Sequence, residues 1–179
     1  MQGRLSPMID NQIQAFPYEY WKNEFKIASE NNIYSIEWII DEYKNPITNE
    51  TLIPEIKKLS TKYNVKINSL CCDFFMDNLL FQISKEEQKK NILVLKKLMK
   101  NAHTLGIKIL EIPLVDSSSM RNQKDEDEII ENLKEVTQDA KDLGILIGLE
   151  TDYKPQKILE LLKKINNDNV VLNYDTGNS

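Results

Sequence analysis

The chain reads as an α/β protein: a (β/α) barrel in a single domain over residues 1–179, with six of eight strand–helix units accounted for. Three observations lead there. Apolar periodicity switches regularly between two and about 3.6 along the whole sequence, and strict strand–helix alternation implies a parallel sheet with helical crossovers. Polar residues recur on one face of nearly every strand, whereas an open sheet with helices on both sides is apolar on both faces. No strand is followed by Gly-x-Gly-x-x-Gly or by a phosphate-binding loop, the marks of many open doubly wound sheets. The barrel, with polar groups gathered at its mouth, fits better than the open sheet.

The elements follow in order. Residues 1–5 are a short strand candidate, and residues 18–32 are helical, with Trp21, Phe25 and Ala28 on one face. Residues 34–39 read as a strand. Residues 50–63 read as a helix opened by Thr48-Asn49, with Ile53, Ile56 and Leu59 as its stripe. A strand over 65–72 is followed by a long helix over 84–105. Ser84-Lys85-Glu86-Glu87 supplies its capping box, Leu95, Leu98 and Ala102 its buried stripe, and Gly106 its left-handed stop. Residues 107–115 form a strand, 126–143 a helix stopped by Gly144, 145–150 a strand, 155–165 a helix and 170–175 a last strand. No Pro/Gly-rich linker or low-complexity segment interrupts the pattern.

Two of these strands end abruptly in a carboxylate, Ile145-Leu146-Ile147-Gly148-Leu149-Glu150 and Val170-Val171-Leu172-Asn173-Tyr174-Asp175. One helix separates them, so they are expected as parallel neighbours with Glu150 and Asp175 at the same sheet end. Paired carboxylates there make a poor structural device, since like charges repel and desolvation is costly. They make a good site for a hard cation. Side-chain parity sends Leu146 and Gly148 inward with Glu150, and Val171 and Asn173 with Asp175. It also puts Gln2, Arg4, Ser35, Glu37 and Glu111 on the inner face, while Ile36, Trp38, Leu110, Ile112, Leu149, Leu172 and Tyr174 face the helices.

With 179 residues and 41% hydrophobic content, the chain can bury a sizeable core. A net charge of -5 argues against a nucleic-acid partner. The acidic run Asp125-Glu126-Asp127-Glu128 falls where a helix begins, and there it complements the helix dipole. The only cysteines, Cys71 and Cys72, are strand neighbours on opposite faces and are expected as buried reduced thiols. With no signal peptide and no apolar run near membrane-spanning length, a soluble cytoplasmic protein without membrane contact is expected. The single histidine, His103, sits in the last turn of a helix, where a structural role is expected.

Taken together, Met1-Gln2-Gly3-Arg4-Leu5, Ile36-Glu37-Trp38, Leu105-Gly106-Ile107, Ile112-Pro113-Leu114-Val115-Asp116-Ser117-Ser118, Gly148-Leu149-Glu150-Thr151 and Tyr174-Asp175-Thr176-Gly177-Asn178 resemble the sugar phosphate isomerase/epimerase family. These are xylose-isomerase-like TIM barrels that include ketose and pentulose 5-phosphate 3-epimerases. The resemblance implies an eight-stranded barrel with one divalent cation (Mn, Zn or Mg) at its mouth. In that family the ligands are a Glu after strand five, an Asp after strand six, a His after strand seven and a Glu after strand eight. Counting residues 1–5 as strand one, Glu150 matches the first and Asp175 the second. The other two would lie beyond Ser179, so the resemblance implies an incomplete barrel lacking its last two units. A relative on the same barrel, endonuclease IV, depends on several metal-binding histidines, which a chain with one helical His cannot supply.

The implied chemistry is proton abstraction next to a carbonyl in a small-molecule sugar or sugar phosphate. The enediolate that forms needs a Lewis acid. Glu150 is then expected as ligand and general base, and Asp175 as ligand only. Gln2, Arg4, Glu37 and Asn178 are candidate substrate contacts, although an Arg4–Glu37 ion pair that merely fills the barrel fits equally well. Asp73, Ser117, Ser118 and Ser119 end strands on the same side and read as cap or loop residues, and Asp152 reads as a loop anchor or an exposed residue. A six-unit barrel leaves two open edges, so a homo-oligomer covering them is expected, or a non-catalytic barrel remnant that self-associates or binds sugar.

Overall fold

The computed structural model describes residues 5–9 and 14–175, and among these it contains five strands in one sheet. They are β1 (Ser35–Ile39), β2 (Lys66–Cys71), β3 (Ile109–Leu114), β4 (Leu146–Thr151) and β5 (Val170–Leu172). The helices are α1 (Trp21–Glu30), α2 (Ile53–Tyr63), α3 (Phe74–Asp77), α4 (Lys85–Leu105), α5 (Gln123–Leu143) and α6 (Pro155–Ile165). The strand expected over residues 1–5 falls almost wholly outside the described residues.

All neighbouring strands pair in parallel, and their spatial order is their chain order. A doubly wound sheet reverses direction at a switch point; this one never does, so each crossover adds its strand on the same side, as in a barrel. The core agrees. Ile36, Trp38, Leu70, Leu110, Ile112, Ile147 and Leu149 point to the helical layer and pack with Phe25, Ile56, Leu95, Leu98 and Val136 in one cluster. The opposite face carries Glu37, Ser69, Cys71, Glu111 and Glu150, and none of these belongs to that cluster. Ile109 and Leu146, on the same inner face, remain 38% and 36% exposed, so no second helical layer covers them.

Local chemistry explains the boundaries. Ser84 and Glu87 form the capping box of α4, and Gly106 ends it at φ +79°. The α5 helix starts two residues before the acidic run, because the Asn122 side chain accepts the Asp125 amide and caps it there. The helix expected from residue 50 opens as one 3-10 turn, Glu50–Leu52, capped by Asn49. Asn64 and Asn166 end α2 and α6 in the left-handed region that Asn tolerates. His103 has the structural role expected of it: its Nδ1 lies 2.8 Å from the Leu143 carbonyl oxygen, joining the ends of α4 and α5. The acidic run does more than start a helix. Asp125 accepts from the Gln82 side chain at 2.6 Å, and buried Glu126 pairs with Lys157 at 2.5 Å and with Lys164, tying α5 to α6. Burial works against the Glu126 charge, yet the two ammonium groups hold its carboxyl below the usual carboxylate range.

Candidate active site

Parallel strands of a barrel deliver their carboxyl ends to one rim, and here that rim is acidic. Glu111 and Glu150 lie on the adjacent strands β3 and β4, where Glu111 is paired with Gly148 and Pro113 with Glu150. Both glutamates therefore point inward, two residues apart along the sheet. Gly148, the residue opposite Glu111, carries no side chain, and the Glu150 carboxyl acts on that of Glu111 from two residues further along β4. Two carboxylates this close cannot both ionise. Glu111 is only 6% exposed; burial, then the Glu150 contact, then repulsion from Glu150, Glu37 and Asp73 push its carboxyl up to about 9. At neutral pH it keeps its proton.

The rest of the rim surrounds this pair. Glu37 accepts from the Ser69 hydroxyl at 2.6 Å, across β1 and β2. Cys71 faces inward, as its parity requires, and its thiol lies 3.1 Å from Asp73 and 3.9 Å from Glu111. Burial, then the neighbouring carboxylates, push the Cys71 thiol far up, so it is a reduced donor and no nucleophile. Burial also raises Asp73, to about 6, against the lowering effect of the Cys71 contact and with help from Asp41, Glu150 and Glu37. Asp73 makes no capping hydrogen bond at the start of α3, so it belongs to the rim rather than to the helix end. Asp41, just past β1, accepts from the Tyr18 hydroxyl at 2.7 Å and the Phe16 amide at 2.9 Å, which straps the segment before α1 across the rim.

Glu150 and Asp175 line one cavity of about 560 Å³, together with Val115, Asp116, Asp152 and Asn173. The strand β5 ends at Leu172, short of the expected 175. The pairing of Leu149 with Leu172 places Asn173 beside Glu150, and Asp175 stands further out, exposed, in the irregular stretch past β5. The two carboxylates thus share a cavity without being level. Their chemistry, hard anionic oxygen, fits Mg, Mn or Zn. Among the described residues, no group of three or more His, Cys, Asp or Glu side chains is arranged to hold a metal. The described part therefore contributes at most part of a coordination shell. Asp152 accepts from the Ser119 hydroxyl at 2.7 Å and so anchors its loop, while Ser118 bonds the Pro113 and Val115 carbonyls as a loop residue.

Of the residues singled out in the sequence, the structure brings Glu150 and Asp175 to one cavity and Glu37 to the same inner face. Gln2, Arg4 and Asn178 lie outside the described residues. Glu111, Cys71 and Asp73 were given no functional part, although the inward parity of Glu111 was readable. What parity lacks is depth: it cannot tell that position 111 is sealed, or that a glycine opposite lets it lean on Glu150.

A family model described as xylose isomerase-like TIM barrel matches residues 25–179. No curated protein matches the chain in sequence. Among solved structures, a xylose isomerase-like TIM barrel protein from Mycobacterium smegmatis in complex with magnesium superposes with a TM-score of 0.72 at 18% identity, over 90% of this chain and 58% of that one. A D-psicose 3-epimerase from Clostridium cellulolyticum H10, solved with D-tagatose, gives 0.68 at 16% identity over 84% and 56%. The IOLI protein with a bound zinc atom gives 0.66 at 17% identity over 88% and 57%. The chain thus spans somewhat more than half the length of the structures it resembles, and at these identities the likeness is one of fold.

Proposed function

Because this chain belongs to the xylose isomerase-like TIM barrel family, we propose that it carries part of the active site of a metal-dependent sugar or sugar phosphate isomerase or epimerase. The observation that carries this reading is the shared cavity of Glu150 and Asp175, at the strand ends where such barrels do their chemistry. Sugar epimerases among the structural neighbours, and neighbours solved with magnesium or zinc, support it.

In this reading Glu150 and Asp175 hold a divalent cation (Mn, Zn or Mg), which when bound supplies a Lewis acid for the substrate's carbonyl and hydroxyl oxygens. Glu150 would take the proton from the carbon next to the carbonyl as general base, an epimerisation needing a second acid to return it from the opposite face, and Asp175 would serve as ligand only. The exposed Tyr174 ring, on the cavity wall, offers an apolar face to the sugar. Glu37, on the same inner face, accepts a substrate hydroxyl, with Gln2, Arg4 and Asn178 as the further contacts of this reading. A nucleic-acid substrate fits poorly, because Asp116, Glu150, Asp152 and Asp175 line the cavity and repel a phosphodiester chain. No described helix is long and apolar enough to cross a membrane.

Exchange in heavy water tests the reading. With magnesium or manganese present, the protein is incubated with free ketoses and ketose phosphates, and deuterium at the carbon next to the carbonyl is read by mass spectrometry. Incorporation that Glu150→Gln abolishes supports the proposal, and no incorporation into any pentulose or hexulose sinks it. A second reading, a self-associating barrel segment without catalysis, is favoured by the exposure of Ile109 and Leu146 on the inner face. Sedimentation at micromolar concentration separates the two, since a monomer removes its only support.

A further inference from the structure

The cavity that Glu150 and Asp175 share carries more negative charge than a divalent cation balances. Two further carboxylates line it: Asp116, from the turn after β3, and Asp152, from the segment after β4. No lysine or arginine is among the described residues that line it. Lys157, between the lining residues Pro155 and Ile158, is engaged by buried Glu126 at 2.5 Å. Asp152 is held by the Ser119 hydroxyl at 2.7 Å. Asp116 is exposed, and its backbone takes a left-handed φ of +50°, which aspartate and asparagine tolerate better than most residues. The turn that carries it is fixed: the Ser117 hydroxyl donates to the Met76 carbonyl at 3.3 Å, and that of Ser118 to the Pro113 carbonyl at 2.9 Å.

We infer that the cavity takes a free ketose in preference to its phosphate ester, with Asp116 as the residue that sets this preference. The inference rests on the reading of the cavity as a sugar site. In that reading Glu150 and Asp175 balance a divalent cation, which leaves the charges of Asp116 and Asp152 in excess. A sugar hydroxyl donates to such a carboxylate in a charge-assisted hydrogen bond. A phosphate monoester offers mainly acceptor oxygens, with a charge of about -1.5 to -2 at neutral pH, and meets repulsion instead. For a dianion about 6 Å from one carboxylate, Coulomb's law in a water-like medium gives roughly tenfold weaker binding. A volume of about 560 Å³ lies well within the range of small-molecule sites and admits sugar and ester alike, so charge rather than size discriminates.

The test is a binding titration of the whole chain with magnesium present, followed by saturation-transfer NMR on matched pairs. Fructose is compared with fructose 6-phosphate, and ribulose with ribulose 5-phosphate, for wild type and Asp116→Asn. In low salt each free ketose should bind wild type about tenfold more tightly than its ester. Raising the salt to about 0.5 M should shrink that gap, because screening weakens repulsion between exposed charges. Asp116→Asn, which keeps the side chain's shape and suits the same left-handed turn, should shrink it roughly tenfold in low salt. If the variant does not fold, the salt dependence of wild type carries the same prediction. An ester bound as tightly as its free ketose overturns the inference and leaves the proposed function intact. A preference that neither salt nor Asp116→Asn changes overturns it too, because charge is then not its source. Binding of no member of either pair would overturn the reading of the cavity as a sugar site, and the inference with it.

Discussion

The buried carboxyl of Glu111 should impose a pH dependence on the stability of the whole fold. The perturbation is a rise in pH, with Glu111→Gln as the comparison. In the folded chain this carboxyl titrates at about 9, against 4.5 for an unperturbed glutamate. Between those values the folded state keeps a proton that the unfolded state has released. A group raised in this way contributes its full stability below the unfolded value and loses it as pH climbs toward the folded one. The slope is about 1.4 kcal/mol per pH unit for one proton. Asp73 is raised only to about 6, so its part of the slope ends lower. A window of about pH 6.5 to 8.5 therefore isolates Glu111, and stability should fall there by on the order of 2–3 kcal/mol. Urea unfolding followed by the fluorescence of buried Trp21 and Trp38 measures it, as a midpoint shift on the order of 1–2 M. Glu111→Gln should be nearly flat over the same window. A flat wild-type profile, or a variant with the same slope, would refute the reasoning, because Glu111 would then be ionised in the folded chain.

Other predictions follow from the frame. Glu126→Ala should cost about 1–3 kcal/mol in urea unfolding, less than for a fully buried pair because Lys157 and Lys164 are partly solvated. Since Glu126 is held below the usual range, its contribution is present above the unfolded pKa of about 4.5 and is lost as pH falls through the folded value; a cost that grows toward acid would contradict this. Ser84→Ala removes the cap of α4 and should lower stability by about 1 kcal/mol, so an unchanged melting temperature speaks against the capping box. Gly106→Ala should cost on the order of 1 kcal/mol for its φ of +79° alone, because nothing lies within 4 Å of the added methyl. A neutral result would mean that the turn relaxes.

Most of the architecture was legible because local signals agree with the global fold. Ser84 with Glu87, then Gly106, mark both ends of α4 in the sequence as they do in space. The alternation of Glu37 with Ile36 and Trp38 separates the inner face from the core. What escaped depends on contacts distant in sequence. The α3 turn exists because Phe74 and Phe75 find buried positions, which no four-residue pattern announces. The early start of α5 follows from an Asn122 cap that the acidic run obscured. At the site, the strand-end carboxylates were readable one by one. The contact between Glu111 and Glu150 was not, because it depends on a register in which Gly148 faces Glu111. Likewise, two of four acidic residues at the start of α5 are buried partners of groups more than 30 positions away.

That Glu150 and Asp175 act on the same cation is best tested by a double-mutant cycle on manganese affinity, with Glu150→Gln, Asp175→Asn and both together. If they share one ion, each single change weakens binding strongly and the pair weakens it little further. Losses that simply multiply, or affinity untouched by either change, would contradict a common site.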